Sequence, residues 1–287
     1  MEPKPVVFIV GPTASGKSAL GLELAKKING EIICADSRTI YKGLDIATAK
    51  PSADEQAQVK HWCLDVVTPD KRYSAAQFKH DAQTAIKDIH KRGKVPIIVG
   101  GTGLYIDGLL FDYQFGPTAN QKLRGELEQL TVQQLQQKLK DQNIPLPQNN
   151  KNKRYLIRAV EQGGVNTKHS QPMVGAIVIG LAPNKQILQK RIADRALVML
   201  HNGAIAEAEW LYITYGYDAP ATAAPFYKAF AAYAQGAALQ QDCLQQFIKN
   251  DQHLAKRQMT WFKRNSHIVW FDAPEHAHDF VLSKISH

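Results

Sequence analysis

The feature that most constrains the fold is the octapeptide GPTASGKS at residues 11–18, which has the spacing G-x-x-x-x-G-K-[ST] of a P-loop. It directly follows VVFIV (6–10), a short apolar run that is typical of a buried parallel strand. It runs into SALGLELAKKI (18–28), where Leu and Ile recur every fourth residue on one helical face. A strand, a glycine-rich loop and a helix in this order are the context in which such a loop binds phosphate groups.

Three more apolar runs predict further strands of the same sheet. They are EIICAD (31–36), VPIIVGG (95–101) and VGAIVIGLAP (174–183), and a helix over 75–91 separates the first two. Strands that alternate with helices predict an α/β fold, here a P-loop NTPase-like parallel sheet flanked by helices.

Residues that directly follow the predicted strands are candidates for a site, because ligands of a parallel sheet lie beyond the carboxyl ends of its strands. Asp36 ends the second predicted strand, and Thr102 follows the third. We therefore expect Asp36 and Thr102 to lie beside the loop of residues 11–18. A structural interpretation of Asp36, as the cap of a helix, remains open at this point.

The middle of the chain has a different composition. Residues 113–173 are rich in Gln and Asn and predict an all-helical insertion into a core formed by residues 1–112 and 174–287. The insertion contains one apolar helical stripe, which we interpret as packing rather than as a ligand site. The stripe consists of Leu123, Leu127, Leu130, Leu135 and Leu139.

The end of the chain is predicted to be mostly helical. A helix that ends near His201 should be capped by Asn202 and Gly203, and a long helical region covers 239–263. A short last strand, HIVWFD (267–272), is then expected to close the chain.

The bulk composition excludes several classes of protein. With 287 residues, of which 44% are hydrophobic, the chain can bury a large core. Its three cysteines are scattered, which argues against a disulfide framework or a zinc site, and no apolar run is long enough for a membrane span or a signal peptide. We expect an unprocessed cytoplasmic protein with no membrane partner.

The positive charge of the chain is concentrated in its second half. The formal net charge is +9, and residues 151–287 contain 16 Lys and Arg against 10 Asp and Glu, a surplus of six. A basic surface of this kind suits a nucleic-acid partner, although charge alone is weak evidence for one.

The loop predicts phosphate chemistry without specifying the ligand. Backbone N–H groups and Lys17 would contact a diphosphate, and Ser18 could bind Mg²⁺. An ATPase usually has a Walker-B Asp at the end of a neighbouring strand, but residues 95–101 end in glycines. Asp36 instead follows the second strand, where a base for an acceptor nucleophile is common in small-molecule kinases.

Four motifs in order resemble those of the tRNA dimethylallyltransferase family. They are GPTASGKSALGLELA, ADSRTIYKGLDIATAKP, VGGTGLYIDGLL and LAKRQMTWF, and the resemblance extends with gaps from residue 6 to residue 272. It implies an enzyme that transfers a dimethylallyl group from dimethylallyl diphosphate to N6 of adenosine 37 in the anticodon stem-loop of tRNA and releases diphosphate. It further implies Mg²⁺ as the cofactor, and we expect a monomer because no association signal stands out.

The resemblance also implies roles for individual residues. The catalytic residues would be Asp36, which accepts the proton of N6 or orients this amine, and Thr102, near the bridging oxygen of the donor. Mg²⁺ would bind at Ser18. The implied diphosphate-binding residues are Gly11, Thr13, Ala14, Ser15, Gly16, Lys17, Ser18 and Arg195. The implied tRNA-binding residues are Asp36, Ser37, Arg38, Thr39, Arg124, Arg154, Arg158, Lys256 and Arg257.

The chain departs from the family pattern mainly at positions of tRNA recognition. Thr39 stands where Gln is usual, Trp62 and Tyr155 replace a His and an Arg, and Pro225-Phe226 replaces a Gly-Tyr pair. Three alternatives therefore stay open: a P-loop kinase that consumes ATP, a non-catalytic RNA-binding relative, and a prenyltransferase whose acceptor is free AMP.

Overall fold

The computed structural model describes residues 4–116, 120–163 and 169–285. The chain divides into two compact units, a larger one of residues 1–110 and 172–287 and a smaller one of residues 111–171. The limits of each unit lie within two residues of the core and the insertion predicted from the sequence.

The larger unit is built around a six-stranded sheet. Its strands are Val6–Val10 (β1), Gly30–Cys34 (β2), His61–Trp62 (β3), Val95–Gly100 (β4), Ala176–Leu181 (β5) and Val269–Phe271 (β6). They lie in the order β3-β2-β4-β1-β5-β6, and all neighbouring pairs are parallel. The predicted P-loop NTPase-like α/β fold is confirmed.

Helices make up most of the rest of the described chain. They are Lys17–Lys27 (α1), Ala53–Gln58 (α2), Ala75–Lys91 (α3), Gly103–Leu110 (α4), Gln121–Gln129 (α5), Val132–Asp141 (α6), Lys153–Glu161 (α7), Lys185–His201 (α8), Ala204–Tyr215 (α9), Pro225–Ala234 (α10), Gln240–Phe262 (α11) and Pro274–Ile285 (α12). Across the described residues, no helix is long and apolar enough to cross a membrane.

Apolar clusters support the larger unit, and two of them bear on the site. One lies against the sheet, where Leu20 and Leu24 of α1 pack with Val7 and Ile9 of β1. The other joins helices α8 to α11 around Phe226, which is completely buried. Because every residue of β1 is also buried, the loop that follows this strand starts from a rigid support.

The smaller unit has its own core, and its helices differ from the prediction. The leucine stripe does not form one helix, because Leu130 is extended and Thr131 begins α6 with a capping box to Gln134. The leucines of α5 and α6 still pack in one cluster, together with Leu156 and Ile157 of α7. The hydrogen bonds of the capping box therefore decide where the helix begins, although the leucine pattern continues through this point.

Other predictions needed correction at the edges of the sheet. The strand expected to close the chain is followed by α12, whose Ala277 and Val281 pack into the sheet core. The two-residue strand β3 and helix α9 were not predicted. The second strand ends at Cys34 rather than at Asp36, which leaves Asp36 in the loop beyond the strand.

Candidate active site

The loop between β1 and α1 presents free backbone donors at a helix start. Gly16 caps α1 with a left-handed backbone (φ 96°), a conformation that favours glycine, and no side chain caps the first turn. The N–H groups of this turn therefore have no side-chain acceptor within α1. The positive end of the helix dipole lies at the same turn, next to the loop. Such a helix start binds anions.

Lys17 adds a positive charge to the same loop. Its Nζ donates a hydrogen bond of 2.7 Å to the carbonyl of Pro12. Burial lowers the pKa of Lys17 to about 8, an effect that the negative charge of Asp36 opposes and the positive charge of Arg195 reinforces. The ammonium group is thus poised to gain from a bound anion, which would raise its pKa again.

The ends of β2 and β4 meet at the loop, as predicted. Gly100 lies so close to the carbonyl of Ala35 that a Cβ on this glycine would be 2.0 Å from the oxygen. Beyond this contact, the N–H of Ser37 donates to Thr102 Oγ1 at 3.0 Å. The two strand ends therefore place Asp36 and Thr102 on one side of a shared cleft.

Asp36 does not cap a helix. Its Oδ1 accepts a hydrogen bond of 2.8 Å from the N–H of Arg38, and residues 37–38 form a bend with no helix after it. The interpretation of Asp36 as a helix cap is therefore wrong. A local turn fixes the carboxylate instead.

Arg195 reaches the cleft from α8 and pairs with a carboxylate that sequence reasoning missed. Its Nη2 donates to Oδ2 of Asp251, a residue of α11 that is 3% exposed. Burial raises the pKa of Asp251, and the charge of Arg195 opposes this rise. The signal in the sequence was a carboxylate in the apolar stripe of an amphipathic helix, where charged residues are rare.

Gln258 of α11 is a second missed residue, and it connects two walls of the cleft. Its Oε1 accepts the N–H of Thr13 at 2.8 Å, and its Nε2 donates to the carbonyl of Gly101 at 3.0 Å. One turn further on, Trp261 donates to Oδ2 of Asp107 in α4 at 2.7 Å. The segment interpreted as a nucleic-acid surface therefore also supports the phosphate loop.

These groups surround one cavity of about 630 Å³ within the larger unit. Most of the predicted site residues of the core line it. They are Thr13, Ala14, Ser15, Gly16, Lys17, Ser18, Asp36, Ser37, Arg38, Thr39, Thr102, Arg195 and Arg257. Gly11 and Lys256 are not part of this lining, since Gly11 is packed against the carbonyl of Leu181 and Lys256 lies on the exposed face of α11.

Thr39, which the resemblance implies as a tRNA-binding residue, is buried in the cavity wall rather than exposed on the surface. The residue is 6% exposed, and its Oγ1 is buried with no hydrogen-bond partner in the part of the chain that the structure describes. A buried hydroxyl in the lining of a cavity can donate to or accept from a ligand, and leaving it unpaired costs about 1–3 kcal/mol.

The predicted tRNA-binding residues of the smaller unit fall into two groups. Arg124 and Arg158 both form ion pairs with Glu161, a carboxylate that is 8% exposed, at 3.0 and 3.3 Å. Arg154 instead lies on the exposed side of α7. Two arginines on one carboxylate leave a positive charge in excess at this place.

Several departures from the family pattern have structural roles in this chain. Trp62 lies in β3 and donates to Oε2 of Glu31 at 2.9 Å, so it stabilises the edge of the sheet. Pro225 occupies the first turn of α10, where its missing N–H costs nothing, and Phe226 is completely buried behind it. Tyr155 is half exposed on α7.

Comparison with known proteins gives consistent results. The family model described as IPP transferase matches residues 39–265 of this chain. A curated relative from Streptococcus pyogenes serotype M49, named tRNA dimethylallyltransferase, is 42% identical over 288 aligned residues, which cover 96% of this chain and 95% of the relative.

Two solved structures are similar over nearly the whole chain. A full-length tRNA isopentenylpyrophosphate transferase from Bacillus halodurans has a TM-score of 0.77 and 33% identity, with 99% of this chain and 97% of that chain covered. A tRNA delta(2)-isopentenylpyrophosphate transferase from Staphylococcus epidermidis has a TM-score of 0.74 and 30% identity, with 99% of both chains covered. By sequence and by fold, this chain belongs to the IPP transferase family, together with proteins named tRNA dimethylallyltransferase.

Proposed function

We propose that this protein transfers the dimethylallyl group of dimethylallyl diphosphate to N6 of adenosine 37 in the anticodon loop of tRNA and releases diphosphate. The observation that supports this best is the shared cavity, in which an anion cradle faces Asp36 and Thr102. Membership of a family whose relatives are named for this transfer supports the same choice of substrates.

The diphosphate of the donor would bind at the loop of residues 11–18. The uncapped N–H groups of α1, the ammonium of Lys17 and the guanidinium of Arg195 all favour a bound anion. They act most strongly on charge that develops in the transition state, when the bond between carbon one and the bridging oxygen breaks. The electron pair of this bond leaves with the diphosphate.

The acceptor amine would be oriented by Asp36. The lone pair of N6 forms the new bond to carbon one, and the proton that N6 then loses goes to the carboxylate of Asp36. The N–H of Ser37, the residue after Asp36, donates a hydrogen bond to Oγ1 of Thr102, which places Thr102 near the Asp36 carboxylate. The hydroxyl of Thr102 would contact the bridging oxygen of the donor. An exocyclic aromatic amine is a weak nucleophile, so its positioning should account for much of the rate.

The residues fit a Mg²⁺ ion that arrives with the donor. Ser18 lines the cavity in the first turn of α1, and within the described residues no group of three His, Cys, Asp or Glu is arranged to bind a metal. Mg²⁺ usually keeps water molecules and takes its other ligands from substrate phosphates, so one hydroxyl is an adequate contribution from the chain. When bound, the ion would neutralise charge on the leaving diphosphate.

Basic residues of each unit would contact the tRNA. Lys256 and Arg257 are exposed on α11, the latter at the cavity, and Arg154 is exposed on α7. Ser37, Arg38 and Thr39 line the cavity next to Asp36, where an extruded loop base would enter. The proposal includes a cytoplasmic monomer, since a tRNA partner suits the cytoplasm and no association signal stands out in the sequence.

The proposal is tested by measuring prenyl transfer from radiolabelled dimethylallyl diphosphate, with Mg²⁺, to an anticodon stem-loop. Free AMP is the competing acceptor, and ATP consumption is followed in parallel. We expect label on the stem-loop, a loss of transfer of about a thousandfold in Asp36→Ala, and full activity in Asp272→Ala, which removes an exposed carboxylate. Label on AMP alone, consumption of ATP, or no transfer at all would each contradict the proposal.

A further inference from the structure

Asp251 is a buried carboxylate within the lining of a cavity that we assign to an anion. It is 3% exposed, lies on α11 and accepts a hydrogen bond from Nη2 of Arg195. A negative charge at this place weakens anion binding through space. Another effect of Asp251 must therefore offset the repulsion between its carboxylate and the anion.

The contact between Asp251 and the guanidinium of Arg195 provides that effect. The guanidinium has five N–H donors in a rigid plane, and Asp251 binds one edge of it. Its Nε is buried and makes no hydrogen bond within the described residues, while the side chain is 26% exposed toward the cavity that it lines. One nitrogen of the arginine is thus held by Asp251, and a second nitrogen is a buried donor with no hydrogen-bond partner among the described residues.

We propose that Asp251 is a positioning residue, which holds Arg195 in the orientation that binds the diphosphate. This inference rests on the proposed function, because it assigns the anion to the prenyl donor. A fixed guanidinium loses less side-chain entropy when the anion binds than a mobile one.

A purely structural role explains the pair less well. Buried ion pairs add little to stability, because the desolvation of both charges offsets their attraction. Apolar residues of similar size would serve packing equally well at this position of α11. A carboxylate that pairs with a cavity arginine is explained by what it does to that arginine.

The test is a calorimetric titration of inorganic diphosphate in the presence of Mg²⁺, with two variants of Asp251. Asp251→Asn removes the charge but keeps an acceptor for Arg195, so affinity should equal or exceed that of the wild type. Asp251→Leu removes both, so affinity should fall about tenfold despite the lost negative charge. If both variants bind diphosphate equally or more tightly than the wild type, the proposal is overturned.

A double variant separates positioning from folding. Asp251→Leu alone leaves a partly buried arginine without its partner, and this can destabilise the protein. Arg195→Met combined with Asp251→Leu removes both charges and should recover stability. Its diphosphate affinity should equal or exceed that of Arg195→Met alone, because no Arg195 is left for Asp251 to position and the repulsion between Asp251 and the anion is lost. A further loss in the double variant would contradict the proposal.

Kinetics distinguish this inference from the proposed function. In the transfer assay, Asp251→Leu should raise the KM for dimethylallyl diphosphate about tenfold and leave the KM for the stem-loop unchanged. A wild-type protein that binds diphosphate but transfers no prenyl group would refute the proposed function, and the titration would still decide the role of Asp251.

Discussion

A buried carboxylate pairs with arginine in the cavity of the larger unit and another does so in the smaller unit, and these two carboxylates differ in the number of arginines that they bind. Among the described residues, Asp251 of the larger unit pairs with Arg195 alone, whereas Glu161 of the smaller unit pairs with both Arg124 and Arg158. The first group is neutral and lines a cavity with Lys17 close by, and the second has a positive charge in excess. In our proposal, the pairing of a carboxylate with arginine therefore orients a donor in the larger unit and leaves surplus positive charge in the smaller one.

This difference matches two separate requirements of the proposed reaction, one for the diphosphate and one for the tRNA. A diphosphate that leaves in the transition state needs donors in fixed positions, because misplaced donors give little catalysis. A tRNA backbone needs positive charge with little geometric precision. Four experiments test this contrast, from the largest expected effect to the smallest.

Replacement of one arginine in each unit should have very different effects on the use of the donor. Arg195→Leu removes a donor to the diphosphate, so kcat/KM for dimethylallyl diphosphate should fall about a hundredfold. Arg158→Leu should change the same constant by less than about threefold at saturating stem-loop. Steady-state kinetics with radiolabelled donor measure both, and equal losses in the two variants would remove the contrast.

Loss of the carboxylate in the smaller unit should affect stability instead of donor binding. Glu161→Leu removes the carboxylate that both Arg124 and Arg158 contact, and we expect the free energy of unfolding to fall by about 2 kcal/mol, since both arginines are about one-third exposed and partly solvated. Urea denaturation measures this, with the exposed Glu126→Leu as control. Unchanged stability, or a weakened affinity for diphosphate, would argue against a purely local role for Glu161.

The charge of Lys17 should make donor binding depend on pH. Its pKa is lowered to about 8, so the side chain is cationic below this pH and loses its charge as the pH rises. Affinity for dimethylallyl diphosphate should fall about tenfold between pH 7 and pH 9. Lys17→Arg stays charged throughout this range and corrects for any titration of the ligand. Parallel pH profiles for the two proteins would show that Lys17 does not titrate in this way.

The smallest effect is expected for a single exposed arginine on the smaller unit. Arg154→Ala should weaken stem-loop binding a few-fold and reduce the salt dependence of the affinity by about one counterion. Lys27→Ala is the matched control, because Lys27 is exposed in the last turn of α1, whereas the first turn of this helix lines the cavity. An identical effect of both variants would indicate unspecific attraction.

Local signals in the sequence were sufficient for the centre of the fold. The strand β1, the loop and α1 are contiguous, and each has its own pattern of apolar residues and glycines, so all three were predicted almost to the residue. The convergence of Asp36 and Thr102 followed from the geometry of parallel strands. The break between α5 and α6 was also readable, because Thr131 and Gln134 have the spacing of a capping box.

The supporting contacts of the site could not be predicted in this way. Arg195 and Asp251 are 56 residues apart in the sequence, and Thr13 and Gln258 are 245 apart. No local pattern encodes such pairs, because they depend on how α8 and α11 pack against each other and on where α11 meets the loop of residues 11–18. Helix α12 was missed because its buried side chains are few and small, among them Ala277 and Val281.

The most direct test of the account is to locate the transferred group. The wild type and Asp36→Asn are each incubated with dimethylallyl diphosphate, Mg²⁺ and the anticodon stem-loop under single-turnover conditions, and the RNA is digested and mapped by mass spectrometry. We predict a dimethylallyl group on N6 of adenosine 37 with the wild type, and a rate about a thousandfold lower with Asp36→Asn. A group at another position, or an undiminished rate in the variant, would contradict the central role given to the cavity and to Asp36.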